Sequence, residues 1–308
     1  MTYSLLLRDP ETEEIGCGVA SRFLAVGAAV LHAEAENGAI ATQALANVSF
    51  GKNGLEMLSI ADPADAVLSR LLADDDQPQR RQVGVLDAAG TVASHTGTGC
   101  QPWAGHAVGT GYACQGNMLA GPDVLTAMER VVRAHVAGSP VAETVLLALR
   151  AAESAGGDRR GRQSAALLVV RSGGGYGGTS DRVVDLRVDD HPAPLDELGR
   201  LLILHGEIFS KPDESELMPL EGATLREVVA LLAPLSSDPL EGTDADGAWR
   251  ALERWAGGKN LEERLIRPYH VDPVLLGALR RATRSSEEPS TPCSPAAPPS
   301  ASQTWSKG

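Results

Sequence analysis

Position alone creates one reactive group in this chain. With Met1 removed, Thr2 carries a hydroxyl and a free α-amine on a single residue, which together form a compact nucleophile–base pair. The small side chain at position 2 favours that removal. Many chains begin Met-Thr with no chemical consequence, so Thr2 gains meaning only from what other polar residues can supply. These cluster where apolar stretches end: Ser21-Arg22, Thr42-Gln43 followed by Asn47, His95-Thr96-Gly97, Gln115-Gly116-Asn117, and the run Gly157-Asp158-Arg159-Arg160-Gly161-Arg162-Gln163-Ser164. Gln and Asn amides, and backbone N–H groups in glycine loops, can donate to a developing oxyanion. Arginine can hold a carboxylate in bidentate fashion. Such a set suits hydrolysis of a small amide or peptide-like substrate bearing an acidic group. The catalytic candidates are Thr2, Gln43, Asn47, His95 and Asp158, and the substrate-binding candidates are Ser21, Arg22, Gln115, Asn117, Arg159 and Gln163. Each also has a plain structural role: Asn47 and Asn117 as turn residues, Gln43 as partner of a nearby backbone group, His95 as a satisfied histidine, and Asp158–Arg162 as a solvated loop with one ion pair.

Other chemistries lose support on motif grounds. There is no GxSxG elbow and no HExxH. The glycine-rich Ser172–Gly178 lacks the Lys-Ser/Thr of a phosphate-binding loop and reads as a flexible turn. Cys17, Cys100, Cys114 and Cys293 form no CxxC pair and no metal-ligand spacing, and are expected as reduced, mostly buried thiols. The acidic Asp74-Asp75-Asp76 run reads as a solvated loop. No metal or cofactor is expected.

The elements that must position these residues follow from periodicity. Tyr3–Asp9 and Glu14–Ser21 read as an antiparallel pair, the second arm small and apolar enough to be covered on both faces. Ala28–Ala35 and Gly38–Leu45 form a second pair across Asn37-Gly38. Helical spacing marks Gly54–Ile60 and Pro63–Ala73, the latter capped by Asp62 with Pro63 at its first position. Gln82–Asp87 and Thr91–His95 make another hairpin, and Gly105–Gln115 a single glycine-rich strand. Two longer helices, Pro122–Ala137 and Pro140–Ser154, each carry one apolar stripe. Ser164–Val170 and Arg182–Val188 read as strands, and Leu195–His205 as a closing helix. Strand hairpins separated from a central helix pair suggest two sheets between helical layers. The folded body is thus α+β over residues 1–208, then a linker at 209–220 and a small all-α domain at 221–283. A Ser/Pro/Ala-rich tail at 284–308 is expected to be disordered.

The chain has 308 residues, a formal charge of −13, 43% hydrophobic and 4% aromatic residues. Ala, Val and Leu must therefore build the core, with 33 glycines allowing close backbone approach. The acidic balance argues against nucleic acid or an anionic membrane as partner. The start has no signal-peptide pattern, because Leu5-Leu6-Leu7 meets Arg8-Asp9 at once, so a cytoplasmic location is expected.

Several of these stretches together carry a resemblance. Ala20–Gly27, Ala41–Asn47, Pro102-Trp103-Ala104-Gly105-His106, Cys114–Leu119, Gly157–Ser164 and Val188-Asp189-Asp190-His191-Pro192 occur in the order found in the DUF1028 family, which this chain resembles from about Thr2 to His205. The resemblance implies an Ntn-hydrolase-like, four-layer αββα sandwich. In the Ntn class the first residue of the mature chain is the nucleophile and its α-amine the base, a role that falls on Thr2 by position. A non-catalytic protein binding a small metabolite on the same scaffold is the alternative. The segments Gly247–Trp255, Asn260–Arg264 and Tyr269–Pro273 resemble a peptidoglycan-binding-like domain often appended to the family. The absence of an export signal argues against cell-wall binding. Trp249 and Trp255 are expected in that domain's core, and packing against the main domain or a second subunit, in a homo-oligomer or an assembly role, is the competing expectation.

Overall fold

The structure, a computed structural model, describes residues 2–236 and 240–287, with side chains to residue 284. The chain divides into two compact units, Met1–Phe209 and Ser210–Gly308.

The first unit is mixed α+β. Strands β1 (Thr2–Arg8) and β2 (Ile15–Ser21) are buried along nearly their whole length. Together with β7 (Gly105–Gly109), β8 (Tyr112–Asn117), β9 (Ser164–Val170) and β10 (Arg182–Val188) they form a six-stranded sheet in the order β10-β9-β2-β1-β8-β7. A four-stranded sheet, in chain order, holds β3 (Leu31–Glu34), β4 (Gly38–Ala44), β5 (Arg81–Asp87) and β6 (Val92–Thr96). Every pairing within these sheets is antiparallel.

Side-chain alternation sorts the strands into three apolar layers. The residues Tyr3, Leu5 and Leu7 point to one face of the large sheet, against α4 (Asp123–Arg133), α5 (Val141–Ser154) and α6 (Pro194–Phe209). Leu6, Ile15, Cys17 and Val19 point the other way and meet Ala39, Ala41 and Leu86 of the second sheet. On the second sheet's far face, Ile40, Val83 and Val85 receive Phe50, Leu55 and Leu58 of α2 (Ser49–Leu58) and Val67 and Leu71 of α3 (Ala64–Ala73). The glycines Gly16 and Gly18 let α5 lie directly on β2: a Cβ at Gly18 would stand 2.4 Å from Val145 Cγ1 and 3.0 Å from Leu149 Cδ1.

Several local readings are corrected. Gly105–Gln115 is not one strand but the hairpin of β7 and β8, turning at Gly111 with φ of +75°. The first part of Ala28–Ala35 belongs to a short helix, α1 (Val26–Val30), and only Leu31–Glu34 is strand. Asp62 pairs with Arg70 instead of capping α3, whose first N–H, at Ala64, donates to the Asp87 carboxylate 3.2 Å away. The acidic Asp75 is not solvated: it is buried in an ion pair with Arg81 at 2.9 Å.

The second unit contains α7 (Gly222–Leu232), α8 (Ala245–Gly257) and α9 (Pro273–Glu287). It is not all-α, since β11 (Met218–Pro219) pairs with β12 (His270–Val271). The 209–220 segment is therefore partly built into this unit, and Arg264 donates to the Ser210 carbonyl at 2.7 Å. Trp249 is buried and its indole N–H donates to Glu253. Helix α9 carries regular structure to Glu287, past the expected end at 283. The rest of the expected tail, with Cys293, lies outside the described residues. Cys17 and Cys114 are buried free thiols, and burial pushes Cys17 up to about 12. No helix among the described residues is long and apolar enough to cross a membrane.

The turn between β1 and β2 is organised by Asp9, which is fully buried. Its Oδ1 accepts the N–H groups of Glu11 and Thr12, and its Oδ2 takes those of Gly138 and His135 Nε2 at 2.8 and 2.9 Å. Burial pulls its carboxyl upward, but the Thr12 and Gly138 backbone N–H groups with His135 outweigh that and hold it at about 2.

Two outcomes follow. Gly18→Ala must displace α5 and should lower stability by about 1–3 kcal/mol in urea unfolding. Asp9→Asn loses charge-assisted bonds, at a cost of about 2–3 kcal/mol near neutral pH. Because the folded-state value is depressed, the carboxylate's contribution is full above its ordinary value near 3.8 and is lost as pH falls through about 2. The stability gap between wild type and Asp9→Asn should accordingly narrow across that window, as read by denaturant midpoints.

Candidate functional site

The apolar layer between the two sheets ends in a polar patch. Antiparallel register sets Thr2 opposite Asn117 on one side and beside Ser21 on the other, and Ser21 opposite Ser164. All four occupy strand-end positions on the face that looks toward the second sheet. There, Gln43, Gln82 and Thr96 form the matching row.

Gln82, not among the sequence candidates, joins the two rows. Its Oε1 accepts from Gln43 Nε2 and Asn117 Nδ2, both at 2.9 Å. Its Nε2 lies 2.8 Å from the Gly116 carbonyl and 3.0 Å from both the Gly105 carbonyl and Thr96 Oγ1. Gln43 Nε2 also reaches the Thr2 carbonyl at 3.4 Å. Deeper in the layer, Gln115 Nε2 crosses between the sheets to the Ala41 carbonyl at 3.0 Å.

Thr2 Oγ1 lies 3.1 Å from Ser21 Oγ, a hydroxyl pair in which either can donate. Thr2 is only 6% exposed. The Gln43 Oε1 atom is buried with no hydrogen-bond partner among the described residues. Asn117 Nδ2 has two N–H groups, of which one is directed to Gln82. The chain leaves two of these strand ends through left-handed, non-glycine residues: Ala44 after Gln43, at φ 68°, and Met118 after Asn117, at φ 54°. Such conformations hold neighbouring side chains in fixed directions at a cost of about 1–3 kcal/mol each.

The remaining candidates divide. Asp158 belongs to the same end of the sheet: its Oδ2 accepts the Arg22 backbone N–H at 2.8 Å and its Oδ1 that of Arg160, so it fixes the loop after Ser21. Three arginines of this corner are held by the protein itself. Arg160 pairs with Asp158 and Arg162 with Glu153, while the Arg22 guanidinium donates to the Arg162 carbonyl. Arg159 is exposed, and Gln163 accepts the His191 N–H through its backbone. Asn47 gives its amide to Asp75 and accepts from Ser49 at the start of α2. His95 pairs with Val83 in register, one residue off the Gln82–Thr96 pair, so it points away from the inter-sheet layer and meets the Pro78 carbonyl at 2.9 Å. Among the described residues no three His, Cys, Asp or Glu side chains converge to hold a metal ion.

A cavity of about 140 Å³ opens at this end, lined by Tyr3, Ser21, Glu153, Asp158, Arg162, Ser164 and neighbouring glycines. Thr2 adjoins it through Ser21 without lining it.

A mixed α+β body with a polar patch closing its inter-sheet layer is the class of protein defined here. Residues 2–198 match the model of a family of unknown function, DUF1028, and the chain belongs to that family. Among solved structures, protein SPO2555 from Silicibacter pomeroyi, of the same family, is 31% identical with a TM-score of 0.59, covering 65% of this chain and 87% of its own. Anbu (ancestral beta-subunit) from Yersinia bercovieri is 10% identical with a TM-score of 0.29, over 65% of this chain and 95% of its own, a likeness too slight to bear on the site. No curated protein matches the chain.

Replacing Gln82 tests whether the patch is held as a unit. Gln82→Leu removes an acceptor of the buried Gln43 and Asn117 amides and the side-chain donor to the Gly116 carbonyl, and should cost about 2–4 kcal/mol in denaturant unfolding.

Proposed function

We propose that this protein is an N-terminal-nucleophile amide hydrolase on an Ntn-like four-layer scaffold, with Thr2 as the attacking residue. The observation that carries the reading is the Thr2 hydroxyl, at the first position of a central strand and 3.1 Å from the Ser21 hydroxyl, in the polar end of an otherwise apolar layer. In the processed chain, Thr2 Oγ1 attacks the substrate carbonyl and its α-amine takes the proton, with Ser21 placed to relay it. Gln43 Oε1, buried without a partner on the side chain whose Nε2 reaches the Thr2 carbonyl, is the acceptor this reading assigns to that amine. Asn117, directly across from Thr2, replaces Gln43 and Asn47 as the side-chain donor for the oxyanion, because both Gln43 N–H groups already have acceptors. The protonated α-amine then passes its proton to the leaving nitrogen as the C–N bond breaks and the amine departs. The acyl-enzyme ester yields to water, which releases the acid and restores the threonine.

A second reading, a binding protein without turnover, is favoured by one fact: the cavity is lined by Ser21 and Tyr3 but not by Thr2.

Intact-mass analysis of the purified chain should show loss of Met1. An amine-and-hydroxyl-directed electrophile such as an epoxyketone should then add once to wild type and not to Thr2→Ala. A mature chain that keeps Met1, or equal labelling of both proteins, defeats the hydrolase reading. A ligand that stabilises wild type and Thr2→Ala alike and is never turned over would support the second.

A further inference from the structure

Tyr3 is 2% exposed and lines the cavity, and no hydrogen bond of its hydroxyl to the protein is seen among the described residues. A phenol hydroxyl open to a small cavity is available to bond whatever enters it. The other polar walls differ in how fully they are satisfied. Asp158 is taken up by two backbone N–H groups and Arg160, and Ser164 donates to the Phe23 carbonyl and accepts from Val26. Glu153, at the end of α5, pairs with Arg162 Nη2 at 3.2 Å, whose side chain is half exposed and so attracts it weakly. Arg150 adds a weaker attraction, with no ion pair to Glu153 among the described residues. Burial, helped by the nearby Asp196, pushes the Glu153 carboxyl up despite both Arg162 and Arg150, so a cation in the cavity would find it under-compensated.

We propose that the cavity binds the ammonium group of a small primary amine or amino-acid-type ligand, with Glu153 as counter-ion and the Tyr3 hydroxyl as acceptor. A void of this size holds a group about as large as benzene. Ser21 lines the cavity and bonds Thr2, so if the hydrolase reading holds, the ammonium end of the substrate sits next to the nucleophile. The substrate class is then an amine-bearing amide, in place of the acidic one suggested by the arginine-rich sequence. Only this last assignment rests on the hydrolase reading; the ammonium site itself does not.

The test is a thermal-shift and NMR titration of the full chain with millimolar propylammonium chloride, set against sodium propionate at equal ionic strength. Propylammonium should raise the wild-type Tm and propionate should not. Glu153→Gln should weaken propylammonium binding about tenfold, the scale of one charge-assisted bond. Tyr3→Phe should weaken it several-fold, and Thr2→Ala should bind as wild type. Should Glu153→Gln fold poorly, Arg162→Gln supplies an independent arm: it frees the carboxylate and should bind at least as tightly as wild type. Propionate binding as well as propylammonium, an unchanged response in Glu153→Gln, or lost binding in Arg162→Gln would each overturn the proposal. Amine binding without turnover of any amide would sink the hydrolase reading and leave the site standing.

Discussion

Amide groups buried between two sheets must find each other or cost the fold several kcal/mol. That constraint governs this molecule's polar end. Most of the inter-sheet layer needs no direction, because Leu6, Val19, Ala41 and Leu86 exclude water without orientation. Where the layer turns polar, the geometry becomes exacting. Gln82 can satisfy both its oxygen and its nitrogen only if Gln43 of β4 and Asn117 and the Gly116 carbonyl of β8 arrive in one register. The same contacts set Thr2, since Asn117 is its cross-strand partner and Gln43 reaches its carbonyl. Position of the candidate nucleophile is thus a by-product of satisfying a glutamine.

The opposite face of the large sheet is placed by sterics rather than by hydrogen bonds. Helix α5 descends onto Gly16 and Gly18, where no side chain keeps it off the backbone. This close approach brings Glu153, near the end of that helix, to the cavity beside Tyr3. Thr2 and Tyr3, adjacent in sequence, therefore face different layers: one the amide network, the other the helices.

Much of this was legible in the residues. Alternating apolar patterns located most strands, and the two longer helices fell close to their observed places. The hairpin β7–β8 was missed because its turn, Thr110-Gly111, sits in a glycine-rich stretch with no break in composition. The site was half legible. Ser21, Gln43 and Asn117 were picked out by lying at strand ends and Thr2 by its place behind Met1, and they do converge. His95 also lies at a strand end, but one residue of parity turns it to the far face. Gln82 was silent: a lone glutamine in an alternating strand reads as a solvent-facing residue, and only the second sheet makes its face an interior. Asn47 had the turn chemistry its residue type suggests, held by Asp75. The arginine candidates, Arg22 and Arg159, stand beside Arg160 and Arg162, which are paired with carboxylates of the same corner, Asp158 and Glu153.

The Gln82 junction has a mechanical consequence. Hydrogen bonds from one residue to both sheets act as a rivet, and sheets so fastened cannot slide past each other without breaking several buried bonds together. Any widening of the Thr2 end must then occur in the chain segments that leave the rivet. These are the loops beyond Ser21 and Gln43, which begin or bend at the left-handed Ala25 and Ala44 and carry the exposed Phe23, Leu24, Leu45 and Val48. Architecture and surface are in this way separated: a rigid frame holds Thr2, the proposed nucleophile, and the two loops that leave it carry apolar tips.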